Sequence, residues 1–281
     1  SLAAREDFFV GHLLIPCGLR GEAARLAREA ADRLTAAGAA LAWSRPMPVD
    51  TEVLGPLARA GEPGYHLLAG VWRDAPPGHE ANRRLFEARL ALERESPVEW
   101  ASLATDRVVF KARAAAVDLP RYFPDLRDPR YRSAVTLGHS RYSTNTLPTC
   151  ERVQPFGVLC HNGEINTIAA LRAQTELLGI PLTRAGSDSQ DLDRLVEGLI
   201  HRFGLSLFEA LELVFPPIHH EIDRMPEGLR GLFRYLRQAF GPFAQGPAGI
   251  LARYGEGVIV GVDALGLRPL WRVETAERLV F

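Results

Sequence analysis

The chain has 281 residues, 47% hydrophobic, 24% charged and 8% aromatic, enough to bury a sizeable core without disulfide or metal staples. Acidic and basic residues balance to a formal charge of −1, so nothing global draws the chain to nucleic acid or to an anionic membrane. No apolar run approaches the roughly 20 residues needed to cross a bilayer.

Three cysteines, Cys17, Cys150 and Cys160, form no CxxC pair. That argues against a disulfide framework or zinc knuckle and for a reducing cytoplasm. Lys111 is the only lysine, which reads as coding bias or heat adaptation, not function.

In chain order, the apolar run from Phe8 to Pro16 predicts a buried strand, and Gly21 to Ala37 an alanine-rich helix. Strands follow at Leu41 to Pro46 and Tyr65 to Trp72, then a helix from His79 to Arg94. Trp100 to Thr105 and Arg107 to Ala112 are expected to be strands, as are Ala134 to Gly138 and Phe156 to Cys160. Helices are predicted over Ile165 to Leu178, from a cap at Asp188, over Leu207 to Val214 and over Glu227 to Phe240. The end returns to strands at Ala248 to Tyr254, Gly257 to Val262 and Leu270 to Val273, with a hairpin turn at Glu256-Gly257. No glycine-proline linker interrupts the chain, which reads as one domain over 1–281.

Two stretches hold more polar groups than a fold requires, each directly after a strand: Gly138-His-Ser-Arg-Tyr-Ser-Thr-Asn-Thr146 and His161-Asn-Gly-Glu-Ile-Asn-Thr167. Arg141 offers a planar fork for a carboxylate. Asn162 and Gly163 together offer an amide NH2 and a backbone N–H to a developing oxyanion. Downstream, Asp188 in Ser187-Asp188-Ser189 offers a carboxylate to an ammonium group. These groups complement an α-amino acid with a reactive acyl function.

On these two stretches, with Ser187-Asp188-Ser189 and Asp263-Ala-Leu-Gly-Leu-Arg-Pro269, the chain resembles the class II glutamine amidotransferase domain of the glutamate synthase large subunit. The resemblance implies an α+β fold, the four-layer αββα sandwich of N-terminal nucleophile hydrolases. It implies hydrolysis of L-glutamine to L-glutamate and ammonia, which passes to an FMN domain. Arg141 would hold the α-carboxylate, with Thr144 and Asn145 nearby. Asn162 and Gly163 would form the oxyanion hole, Asp188 would bind the α-amine, and the Gly266-to-Pro269 turn would support the site. FMN and the iron–sulfur cluster are expected in associated synthase domains or subunits, with no cofactor or metal in this chain.

The family's nucleophile is an amino-terminal cysteine whose own α-amine can act as base. This chain opens Ser1-Leu2, so the nucleophile and the first strands are expected to be absent from it. Cys17 and Cys160 are expected to be buried apolar residues, and His139 and His161 hydrogen-bonded scaffold. His219-His220-Glu221 lacks the spacing of a metal site, and the arginines from Arg224 to Arg237 read as a solvated helix face. Two other readings stand beside the glutaminase. One is a non-catalytic domain that binds glutamine or glutamate or regulates a synthase; the other is the amidotransferase half of a phosphoribosyl or sugar aminating enzyme.

Overall fold

The computed structural model describes residues 4–140 and 149–281. Helices and antiparallel sheets make up two compact units, Ser1–Gly157 and Val158–Phe281. The division falls at no glycine-proline linker.

In the first unit, β1 (Phe9–Ile15), α1 (Ala23–Ala36), β2 (Ala39–Pro46), the short α2 (Pro56–Ala60), β3 (Gly64–Trp72), α3 (Gly78–Glu95) and β4 (Glu99–Ala104) follow in order. The four strands form one antiparallel sheet in the order β2-β3-β1-β4. Leaving α2 aside, this is the βαββαβ arrangement of a split βαβ motif. Alternation along β1 explains its place at the centre. Phe9, Leu13 and Ile15 face Leu26, Ala30 and Leu34 of α1 and Leu85 of α3. Leu14 faces the opposite layer, built from Met47, Leu54, Val109, Tyr122, Phe123 and Cys150, in which Tyr122 closes the single-turn α4 (Leu119–Tyr122).

That second layer explains why Arg107 to Ala112 is not the strand its β-branched and aromatic residues predict. Side chains take up its backbone groups. Val109 N–H donates to Ser102 Oγ at 3.0 Å, His12 Nδ1 lies 2.7 Å from the Val109 carbonyl, and Tyr65 Oη donates to the Lys111 carbonyl at 3.0 Å. A carbonyl only accepts, so Nδ1 carries the proton, and the lowered pKa of the buried ring keeps His12 neutral at pH 7. Burial pushes its ring down to about 4. Lys111 is buried, with Nζ 4.3 Å from the centre of the Phe156 ring, so the one lysine has a packing role.

In the second unit, β5 (Leu159–Gly163), β6 (Ala248–Tyr254) and β7 (Gly257–Val262) form an antiparallel sheet. Between β5 and β6 run α5 (Ile168–Leu177), α6 (Asp188–Phe203), α7 (Leu207–Val214), α8 (His219–Ile222) and α9 (Glu227–Phe240), and the chain closes with β8 (Val273–Glu274) and β9 (Leu279–Val280). Leu192, Leu195, Val196 and Leu199 of α6 pack against Leu171, Ile180, Ala210, Phe243 and Ala252. Every residue from Ser189 to His201 is buried, so α6 is an axis of this unit and not a half-exposed surface helix.

Four expectations shift here. No strand forms between Ala134 and Gly138, and β5 lies three residues beyond the apolar run that predicted it. The β6–β7 turn is Gly255-Glu256, one residue earlier, because Gly255 at φ +55° supplies the left-handed turn position. Cys17 is exposed in a 3₁₀ turn after Pro16.

Candidate active site

Strand β5 ends in Asn162 and Gly163. The Val158 carbonyl accepts from Arg253 N–H at 2.8 Å, and Glu164 N–H donates to the Pro247 carbonyl at 3.1 Å. Even-numbered positions of this segment therefore bond to β6, and alternation turns the Gly163 N–H towards the edge of β5 that no described strand pairs with. Opposite Gly163, Ala248 gives its carbonyl to Asp263 N–H at 2.7 Å, consistent with that phase. Gly163 has φ +149°, and a Cβ on it would sit 1.6 Å from the Pro247 oxygen. Only glycine fits, and the same missing side chain leaves the N–H open to a ligand.

The Asn162 side chain is exposed, and its Oδ1 accepts from Arg268 Nη1 at 2.9 Å. Arg268 belongs to the Asp263-to-Pro269 turn. The buried Asp263 carboxylate accepts from the N–H groups of Ala248 at 3.1 Å, Leu265 at 3.1 Å, Leu267 at 3.0 Å and Arg268 at 3.1 Å. Burial works to raise its pKa. The bonds from Leu267, Ala248, Arg268 and Leu265 outweigh that and hold it below the ordinary carboxylate value.

Asp188 opens α6 but is not its cap. Ser187 caps the helix, its hydroxyl accepting from Gln190 N–H at 3.2 Å while Gln190 Oε1 accepts from Ser187 N–H at 2.9 Å. Asp188 is thereby released from capping. Its Oδ1 accepts from the N–H of Ser189 at 2.8 Å and from its hydroxyl at 3.3 Å. The half-buried carboxylate sits at the positive end of the helix.

Two ties fix α6 against β5. His161 Nε2 lies 2.7 Å from Ser189 Oγ, and Asp193 Oδ1 accepts from Val158 N–H at 2.9 Å and Leu159 N–H at 3.0 Å. They join the neighbour of Asn162 to the neighbour of Asp188, so the spacing between amide donor and carboxylate is held by the core. The loop after β5 is pinned as well: Asn166 N–H donates to the Gln245 carbonyl at 2.7 Å, and Thr167 Oγ1 donates to the Phe243 carbonyl at 3.0 Å.

Of the residues singled out from sequence, Asn162, Gly163 and Asp188 all lie in the second unit, at the ends of two tied elements. Arg141, Thr144 and Asn145 lie outside the described residues. His161 is the scaffold group its sequence reading expected. Sequence reasoning missed Ser189 and Asp193 as ties and Arg268 as the partner of Asn162. Only the Asp263-to-Pro269 motif hinted at the last.

Burial pushes the Cys150 thiol up to about 12 and the Cys160 thiol up to about 11, so both are protonated at neutral pH. Among the described residues no three His, Cys, Asp or Glu side chains gather as metal ligands, and no helix is long and apolar enough to cross a membrane.

The model of a family described as glutamine amidotransferases class-II matches residues 1–281. The chain is 31% identical over 258 residues to the NADH glutamate synthase of Saccharomyces cerevisiae, covering 82% of this chain and 12% of that protein. It is 30% identical over 251 residues to ferredoxin-dependent glutamate synthase 2 of Synechocystis, covering 82% and 16%. It is 28% identical over 258 residues to the large chain of the NADPH glutamate synthase of Azospirillum brasilense, covering 84% and 17%. The chain thus spans less than a fifth of the length of each of these relatives.

Proposed function

Because the chain belongs to the class II glutamine amidotransferases, of the kind carried by glutamate synthases, we propose that it binds L-glutamine and serves hydrolysis of the side-chain amide to L-glutamate and ammonia. The observation that carries this reading is the end of β5: an open-edge N–H at Gly163 beside an amide side chain at Asn162. Two donors of this kind stabilise the negative charge that develops on the carbonyl oxygen during acyl transfer. Asp188 receives the substrate's α-ammonium group. Arg141 takes the α-carboxylate, with Thr144 and Asn145 beside it.

In this reading the fold is the four-layer αββα sandwich of N-terminal nucleophile hydrolases. Ammonia is consumed by a synthase domain or subunit that holds FMN and an iron–sulfur cluster, in the cytoplasm.

Calorimetry with L-glutamine, L-glutamate and the analogue of glutamine lacking its α-amino group tests the pocket. The two amino acids are expected to bind at least about tenfold more tightly, because the analogue leaves Asp188 without its ionic partner. Equal affinities for all three overturn the role of Asp188. Arg141→Lys is expected to weaken binding as well, since an ammonium cannot reproduce a bidentate fork.

A second reading is a domain that binds glutamine or glutamate without chemistry. Ammonia release from glutamine by the full-length protein separates the two.

A further inference from the structure

The geometry points to Arg268 as a positioning residue that turns the Asn162 amide so that its NH2 group faces the substrate. This rests on the reading of Asn162 as an oxyanion donor and adds what makes it one. An Asn side chain left to rotate would offer its oxygen as readily as its nitrogen, and an oxygen aimed at an oxyanion repels it. A guanidinium has donors only. With Arg268 Nη1 at 2.9 Å, the amide atom facing it can only be Oδ1, and the NH2 points the other way. No described residue accepts from that NH2, which is left for a ligand.

Arg268 is held for this task at both ends. Asp263 takes its backbone N–H at 3.1 Å. Its aliphatic stem crosses Gly249, the cross-strand partner of Asn162, with Arg268 Cγ 3.7 Å from where a Cβ on Gly249 would lie. The same Asp263 carboxylate holds Ala248, which faces Gly163, so one anion sets the register of both donors. The arginine cation also polarises the amide towards stronger donation.

The test reads the Asn162 side-chain NH2 pair by ¹⁵N NMR, assigned by its loss in Asn162→Ala, alongside L-glutamine affinity. Arg268→Met is expected to shift the pair and to weaken L-glutamine about tenfold, the scale of one charge-assisted hydrogen bond. L-Norvaline, which has the head group but no side-chain carbonyl, should bind as before. Arg268→Lys should restore part of the loss. The Arg268→Met/Asn162→Ala double variant should bind no more weakly than Asn162→Ala alone. Asp263 grips the backbone of residue 268, so truncating the side chain leaves the turn standing.

An unchanged NH2 signal in Arg268→Met, or fully additive losses in the double variant, overturns the proposal. Intact glutamine affinity in Asn162→Ala overturns instead the reading of Asn162 itself.

Discussion

Glu62 in the first unit and Asp263 in the second are both buried carboxyl groups, and the chain treats them in opposite ways. Among the described residues neither oxygen of Glu62 has a partner at good hydrogen-bond geometry, and burial, only partly offset by the nearby Tyr65 hydroxyl, pushes its pKa up to about 7. Asp263 collects N–H groups from four residues, and its pKa is held below the ordinary carboxylate value. The same contrast separates the two units more broadly. Around Tyr65 and His12, polar groups sit among Phe110, Tyr122 and Phe123 and are kept neutral. Around α6, carboxylates are spent fixing backbone at the ends of elements. A buried charge that organises N–H groups builds a site, whereas a buried carboxyl that organises nothing only titrates.

The largest break in this contrast should come from Gly163→Ala, which forces a methyl group onto the Pro247 carbonyl. A loss of roughly 3–5 kcal/mol is expected, confined to the second unit when read by amide exchange. Protection lost equally in both units would show that their folding is coupled.

Asp263→Asn is expected to cost about 2–3 kcal/mol at pH 7, since a neutral amide cannot accept from as many N–H groups. The folded pKa lies below the unfolded one, so the aspartate's contribution is present above about pH 4 and lost as pH falls through the lower folded value. Denaturant titrations of the two proteins should therefore converge in strong acid.

Glu62→Gln should act with the opposite sign. Here the folded pKa is raised, so ionisation destabilises the fold progressively from about pH 4.3 up to about 7, and the penalty is constant above that. The variant is expected to gain up to roughly 3 kcal/mol at pH 8 and nothing at pH 4. A gain independent of pH would mean that shape, not charge, is at stake.

Asp188→Asn should change stability least, by about 0.5 kcal/mol from the helix dipole, because Ser187 does the capping. A chemical melt showing a loss beyond about 2 kcal/mol would make Asp188 a structural residue.

Where local pattern decides structure, the sequence is a good guide. Helices α7 and α9 and strands β6 and β7 lie where period and flanking turn residues put them, because nothing distant competes. The segment from Arg107 to Ala112 fails as a strand since its backbone partners are side chains, Ser102 of the preceding strand and the distant His12 and Tyr65. On α6 the apolar stripe is visible in the sequence, but nothing in it marks Asp191 and Asp193 as buried. Their burial is made tolerable by groups from elsewhere: Arg172 Nε pairs with Asp191 at 2.7 Å, and the amides of Val158 and Leu159 meet Asp193. The site divides likewise. The chemistry of Asn162, Gly163 and Asp188 could be named from residue type and spacing. The partner of Asn162 lies 106 positions away, and only folding reveals it.

The burial of Lys111 has a use outside recognition. As the sole lysine, it carries the only ε-amine in the sequence, and in the folded first unit that amine is shielded by the Phe156 ring. Acylating reagents should therefore modify residue 111 only when this layer opens, at a rate proportional to the opened fraction. The protein thus carries an internal clock for local unfolding of the layer beneath the central strand, readable by peptide mass without adding a label.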